Sequence, residues 1–220
     1  MKRRWILLIA LLGVATIGGI AALVHQQETR ELAAAISGSA QHVRPYSPII
    51  GPKYARVTIV EFFDPACAAC SASYPHVKKI LALYPNDVRL VLRYAAFERP
   101  SAAIVRLLEA ARVQGRFIPV LEALLADQAR WTTHGAIDVG KAWIVAGETG
   151  LNTRRARVDS TTLGIEANLQ QDLADANAAN VSQTPAFFVN GRPLGSSGPQ
   201  QLLDLVRDEV NALRSSPVSQ

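Results

Sequence analysis

Cys67 and Cys70 are the only cysteines in the 220-residue chain, and they stand at C-x-x-C spacing within Phe62-Phe63-Asp64-Pro65-Ala66-Cys67-Ala68-Ala69-Cys70. The residues ahead of them, Val57 to Phe63, are β-branched and aromatic and predict a buried strand. The residues behind, Ser71 to Tyr84, predict a helix. With Cys67 at that helix's N-terminus and Cys70 one turn on, the two side chains stand about 60° apart and can close a disulfide with little backbone movement. Unpaired N–H groups and the positive end of the helix dipole favour a thiolate at Cys67, so C-x-x-C nucleophiles titrate at roughly 3.5 to 7 against ~8.5 for free cysteine. Cys67 is therefore the expected nucleophile and Cys70 the resolving thiol. Two cysteines cannot frame a disulfide scaffold, and one C-x-x-C lacks the second ligand pair of a structural zinc site.

Trp5 to Val24 is a run whose only polar member is Thr16, and as a helix it spans about 30 Å, enough to cross a bilayer. It exceeds the usual cleavable signal, although Gly19-Ile20-Ala21 offers a small-x-small cleavage site, so residues 1–24 are read as an uncleaved anchor. Lys2, Arg3 and Arg4 keep its start in the cytoplasm and place the rest of the chain across the membrane, in an oxidising compartment. Setting those three aside leaves 20 of the 23 basic residues against 18 acidic ones, which makes no case for a nucleic-acid partner. Residues 25–50 read as a periplasmic tether without a sustained heptad, and 51–220 as the folded domain.

Within that domain Val88 to Tyr94 predicts a second strand, completing a βαβ unit. Residues of about 101–180 carry only helical patterns: Ala102–Val113, Val120–Ala126, Ile137–Ala146, Arg154–Val158 and Ile165–Ala179. Ala186 to Asn190, the Asn190-Gly191 turn and an edge strand at Pro193 predict a hairpin, followed by a helix from Pro199 to Leu213. Pro75 would bend the active-site helix. His76, nine positions after Cys67, faces away from it, whereas His25, His42, His134 and Arg154, Arg155 and Arg157 read as solvated. Glu61 stands in an apolar strand, where a carboxylate is costly unless protonated or hydrogen-bonded; the alternative is a strand position open to water.

Strand, C-x-x-C at a helix start and the distant Gln183-Thr184-Pro185-Ala186-Phe187-Phe188-Val189-Asn190-Gly191 together resemble the thioredoxin superfamily, and more closely its DsbA-like periplasmic branch. The resemblance implies an α/β thioredoxin fold with an all-helical insertion between the second strand and the cis-proline strand. It also implies a cis Pro185 beside the nucleophile, an acidic Glu61 that moves protons to and from Cys70, and a Thr184 whose backbone pairs with an extended substrate. Ala68 and Ala69 depart from the Pro-His pair of strongly oxidising members, so Cys67 would rely on backbone N–H groups alone, with weaker oxidising power.

The implied activity is thiol-disulfide exchange with cysteines of exported proteins, without a cofactor, reset by a membrane redox partner. The helical insert and the lack of room for a dimerisation domain favour an oxidase. A threonine before the proline resembles reductases and isomerases, which remain alternatives. A different class of reading is a periplasmic Cu(I) or zinc carrier binding through the same two thiolates.

Overall fold

The computed structural model describes residues 42–133, 136–195 and 198–215. The run Trp5–Val24 and most of the expected tether lie outside them. Among the described residues no helix is long and apolar enough to cross a membrane.

Strand β2 (Val57–Phe63) is buried along all seven residues, as expected for a central strand covered on both faces. It pairs in parallel with β3 (Val88–Tyr94), from Val57 opposite Val88 to Phe63 opposite Tyr94, and antiparallel with β6 (Ala186–Val189). Strand β1 (Ile49–Ile50) closes one edge against β3 and β7 (Arg192–Pro193) the other against β6, giving the order β1-β3-β2-β6-β7. Pro193 sits at the edge, where its missing N–H costs no ladder bond.

Alternation along the strands divides the core. Ile59, Phe63, Leu90, Leu92 and Phe187 pack with Cys70, Tyr74, Val77 and Ile80 of helix α1 (Ala68–Leu83) and with Val206 and Val210 of the C-terminal helix Pro199–Ser215. On the other face Val60, Phe62, Val91 and Phe188 meet Ala176 and Val181. Pro75 lies inside α1.

The insertion comprises helices α2 (Arg99–Val113), α3 (Phe117–Ala126), α4 (Gln128–Trp131), α5 (Val139–Glu148), α6 (Thr153–Asp159) and α7 (Leu163–Ala178). Asp138 caps α5 by accepting from the Lys141 N–H at 3.0 Å, and Asn152 caps α6 through the Arg155 N–H at 3.1 Å. The all-helical insertion that the sequence pattern predicts is interrupted by a short strand pair. Strands β4 (Thr132–Thr133) and β5 (Ala136–Ile137) pair antiparallel. Two-residue strands are too short to show a period, and the helix expected from Ile137 begins only at Val139.

The expected boundary between tether and domain at 50/51 is also displaced. Ile49 and Ile50 are part of the sheet, and the Pro48 carbonyl accepts from the Leu92 N–H at 3.0 Å. His42 is buried rather than solvated, with its ring 4.3 Å from that of Phe188. Arg157 is exposed, as expected, with its guanidinium over the Trp143 ring at 4.5 Å.

Candidate active site

Parallel strands β2 and β3 end at the same side of the sheet, and the chain leaves β2 at Phe63 to enter α1 through Asp64-Pro65-Ala66. Cys67 is the residue before the helix, with extended dihedrals (φ −74°, ψ 121°), and its carbonyl accepts from the Ser71 N–H at 3.1 Å. Its side chain is half-buried, whereas Cys70, one turn in, is completely buried; both are free thiols.

Opposite Cys67 runs the loop into β6. The Thr184–Pro185 peptide bond is cis, and the Cys67 thiol donates to the Thr184 carbonyl at 3.3 Å. The Cys67 thiol is pulled down to about 5, chiefly by the Cys70 thiol donating to its sulfur. The Thr184 side chain and the Cys70 and Ala69 N–H groups help the anion, while partial burial opposes it. Ala68 and Ala69 present only exposed methyl groups, so the tuning expected at these positions comes through the Ala69 backbone. The expectation that Cys67 depends on backbone N–H groups alone does not hold, because the neighbouring thiol and Thr184 contribute too. Thr184→Val is expected to move Cys67 from about 5 to roughly 6, since a hydroxyl bond to an ion is lost. Ultraviolet titration of the thiolate checks this.

Cys70 responds in the opposite sense. Its thiol is pushed far above the usual cysteine range by bonding to the Cys67 sulfur, then by burial, then by the Glu61 carboxylate.

Glu61 lies in β2 between Leu92 and Phe187, on the face that carries Ile59 and Phe63. It is fully buried, not open to water, and among the described residues neither carboxylate oxygen has a hydrogen-bond partner. Burial first, and the Cys67 charge second, push its carboxyl up to about 8. An uncharged, proton-bearing Glu61 therefore lies beside the two sulfurs at neutral pH.

Two further contributions were not legible as site features. Asp64 holds the turn before Cys67, and only the Asp-Pro dipeptide, a turn signal, marked it. The Thr184 side chain reaches Cys67 across more than a hundred residues of sequence, beyond any local pattern. Among the described residues no group of three or more His, Cys, Asp or Glu side chains is arranged to hold a metal ion.

The sequence profile of the family described as Thioredoxin matches residues 44–208. The Na(+)/H(+) antiporter NhaA of Herminiimonas arsenicoxydans is 32% identical over 149 residues, covering 68% of this chain and 23% of that protein. The chain thus spans about a quarter of the length of the curated relatives it matches. Among solved structures, a thioredoxin-like oxidoreductase from Silicibacter pomeroyi DSS-3 superposes with a TM-score of 0.68 at 28% identity, covering 80% of this chain and 97% of that one. The α-DsbA1 of Wolbachia pipientis gives 0.69 at 16% identity, covering 81% and 98%, a likeness of fold. Strand order, the cysteine-bearing helix start, the cis-proline loop facing it and a profile match over three-quarters of its length place this chain in the thioredoxin family, with the fold of the DsbA-like members.

Proposed function

We propose that this chain is a thiol-disulfide oxidoreductase that forms disulfides in exported proteins. Its catalytic pair is Cys67 and Cys70, Glu61 is the proton carrier, and Thr184 and Pro185 form the substrate-facing edge. The observation that carries the reading is the contrast between the two sulfurs: a half-exposed Cys67 pulled down to about 5 above a sealed Cys70 pushed far up.

In the oxidising direction a substrate thiolate attacks the Cys67 sulfur, the Cys67–Cys70 bond breaks, and Cys70 leaves as a thiolate that takes a proton from Glu61. A second substrate thiolate then attacks the substrate sulfur of the mixed disulfide and releases Cys67 as a thiolate. Two electrons have moved from substrate to enzyme, and a membrane redox partner removes them. The residues at Trp5–Val24 would hold the domain at the inner membrane with the site on the periplasmic side.

A thiolate that forms below neutral pH stabilises the reduced pair, and so favours oxidation of the substrate. A nucleophile titrating two units below pH 7 raises the potential by up to ~60 mV, and allowing for the half-exposure of Cys67 leaves roughly half of that. This offsets what Ala68 and Ala69 lack.

Equilibration with glutathione buffers, with free thiols counted by alkylation, measures the direction. A potential near about −120 mV supports the oxidase, and one near about −270 mV would make the chain a reductase. The full-length Cys70→Ser variant should accumulate mixed disulfides with exported proteins on Cys67. Their absence in cells, or tight Cu(I) binding by the reduced protein without any exchange, overturns the reading.

A further inference from the structure

We propose that Asp64 is a positioning residue for thiol exchange: its side chain fixes the turn that presents Cys67 and ties that turn to the first helix of the insertion, so the insertion seats the nucleophile. The inference rests on the oxidoreductase reading above and assigns a role to a residue that touches neither substrate nor the reacting bond.

Four contacts converge on Asp64. One carboxylate oxygen accepts from the Ala66 N–H at 2.8 Å, closing the turn immediately before Cys67. The same oxygen accepts from the Ser101 hydroxyl, and Ser101 is buried in the first turn of α2. The Asp64 carbonyl accepts from the Cys67 N–H at 3.1 Å, and the Asp64 N–H stabilises the Cys70 sulfur. The short stretch from Asp64 to Ser71 is then joined to the insertion twice more. The Gln128 amide donates to the Pro65 carbonyl at 3.2 Å, and the Ser71 hydroxyl to the Leu125 carbonyl at 2.8 Å. Three bonds from α2, α3 and α4 thus grip the turn, and Asp64 alone among them reaches both the turn and the insertion through its side chain.

Seating matters because displacement at sulfur needs the attacking atom in line with the bond that breaks, and a misplacement of about 1 Å can cost up to ~100-fold. The titratable groups that act with Cys67 are Cys70, Glu61 and Asp64, and Glu98, the residue before α2, acts in turn on Asp64. An ionised Asp64 adds negative charge beside the thiolate. Geometry and charge can be separated, because asparagine keeps the accepting oxygen and loses the charge.

The test uses the full-length chain with Cys70→Ser, so that attack of the Cys67 thiolate on a small aromatic disulfide stops at the mixed disulfide and releases one aromatic thiolate. Rates are read against pH. On the alkaline plateau all Cys67 is ionised and only geometry acts. There Asp64→Ala should be slower by about tenfold, Ser101→Ala by about threefold, and Asp64→Asn should recover most of the loss. The acid limb of Asp64→Asn should move to lower pH, because the negative charge beside the thiolate is gone. A purely structural Asp64 would lower the melting temperature and leave the plateau and the acid limb where they are, which overturns the proposal. Should Asp64→Ala fail to fold, an unchanged Ser101→Ala plateau overturns it equally. Should the parent not react with the disulfide at all, the oxidoreductase reading fails instead. The acid limbs, read by iodoacetamide alkylation, then decide Asp64 separately.

Discussion

Oxidised protein carrying Glu61→Gln is expected to hold its stability nearly level between pH 4.5 and 8, where the parent loses about 3 kcal/mol or more. The sign follows from where the proton sits. In the unfolded chain Glu61 ionises near 4.5, and with the thiols free the folded chain holds its proton to about 8; burial, the larger cause, persists once the disulfide closes and keeps the value raised. Across that interval the native state binds one proton more than the unfolded state, so the stability that is complete at low pH is lost as pH rises through the folded value. Glutamine cannot titrate and removes the slope. Leucine removes the buried polar group as well, and should make the protein more stable than the parent at pH 8. Chemical denaturation at a series of pH values checks both. If Glu61 carries the proton that Cys70 needs, both variants should also slow the attack of Cys70 on a mixed disulfide, by roughly tenfold or more. A gain in stability paired with a loss of rate would mark a residue kept for chemistry rather than folding.

Reduced protein should behave differently, because Cys67 titrates in the opposite sense. Its folded value of about 5 lies below the unfolded value of 9.0, so over that range the native state holds fewer protons and stability rises with pH. The two slopes oppose each other where they overlap. Reduced parent should therefore show a shallower dependence on pH than oxidised parent, and reduced Glu61→Gln should gain stability as pH rises. Around neutral pH Cys67 bears a negative charge while protons are held at Glu61 and Cys70. Exchange moves that charge between the sulfurs, and Glu61 is the group proposed to supply the balancing proton.

What could be read without the structure follows from how local each signal is. Strands Val57–Phe63 and Val88–Tyr94 were legible to the residue because β-branched, aromatic and leucine side chains dominate both, despite Glu61 in the first and Arg89 and Arg93 in the second. Helix α2 was legible through Ile104, Leu107, Leu108 and Ala111 on one face. The β4–β5 pair and the edge strand Ile49–Ile50 were not, since two residues carry no period and pairing at an edge depends on a partner forty residues away. The same holds at the site. Cys67, Cys70, Thr184 and Pro185 announced themselves by spacing and motif, and Glu61 by its incongruous strand. Asp64 offered no such signal, because its meaning lies in Ser101 and the insertion. Arg93 carries no signal of its own within its strand, since its partners lie in α7 and in a stretch read as tether.

That arginine carries the second large expected effect: Arg93→Met should destabilise the protein by about 3–5 kcal/mol. The Arg93 guanidinium is fully buried; Nε donates to Asp172 at 2.9 Å, and its remaining nitrogens bond Asp175 and the His42 carbonyl. Asp172 accepts in addition from the Tyr46 hydroxyl at 2.8 Å and the Tyr94 N–H at 2.9 Å. Methionine would fill the space but leave the Asp172 carboxylate sealed from water without its cation, and an unpaired buried charge is what makes such losses large. Adding Asp172→Asn to Arg93→Met should therefore recover much of the loss. By contrast Arg44→Ala, which removes a part-exposed partner of Asp175, should cost no more than about 1 kcal/mol. Asp175 is held well below the usual carboxylate range, first by Arg44 and then by Arg93, so its contribution is present at neutral pH and lost on strong acidification. The network fixes α7, and α7 leads directly into the loop that places Thr184 against Cys67; the Val181 N–H bonds back to the Ala176 carbonyl at 2.9 Å at that junction. Hydrogen exchange at the Val181 amide should consequently accelerate in Arg93→Met far more than in Arg44→Ala, and equal exchange in the two would separate the buried network from the loop it is argued to hold.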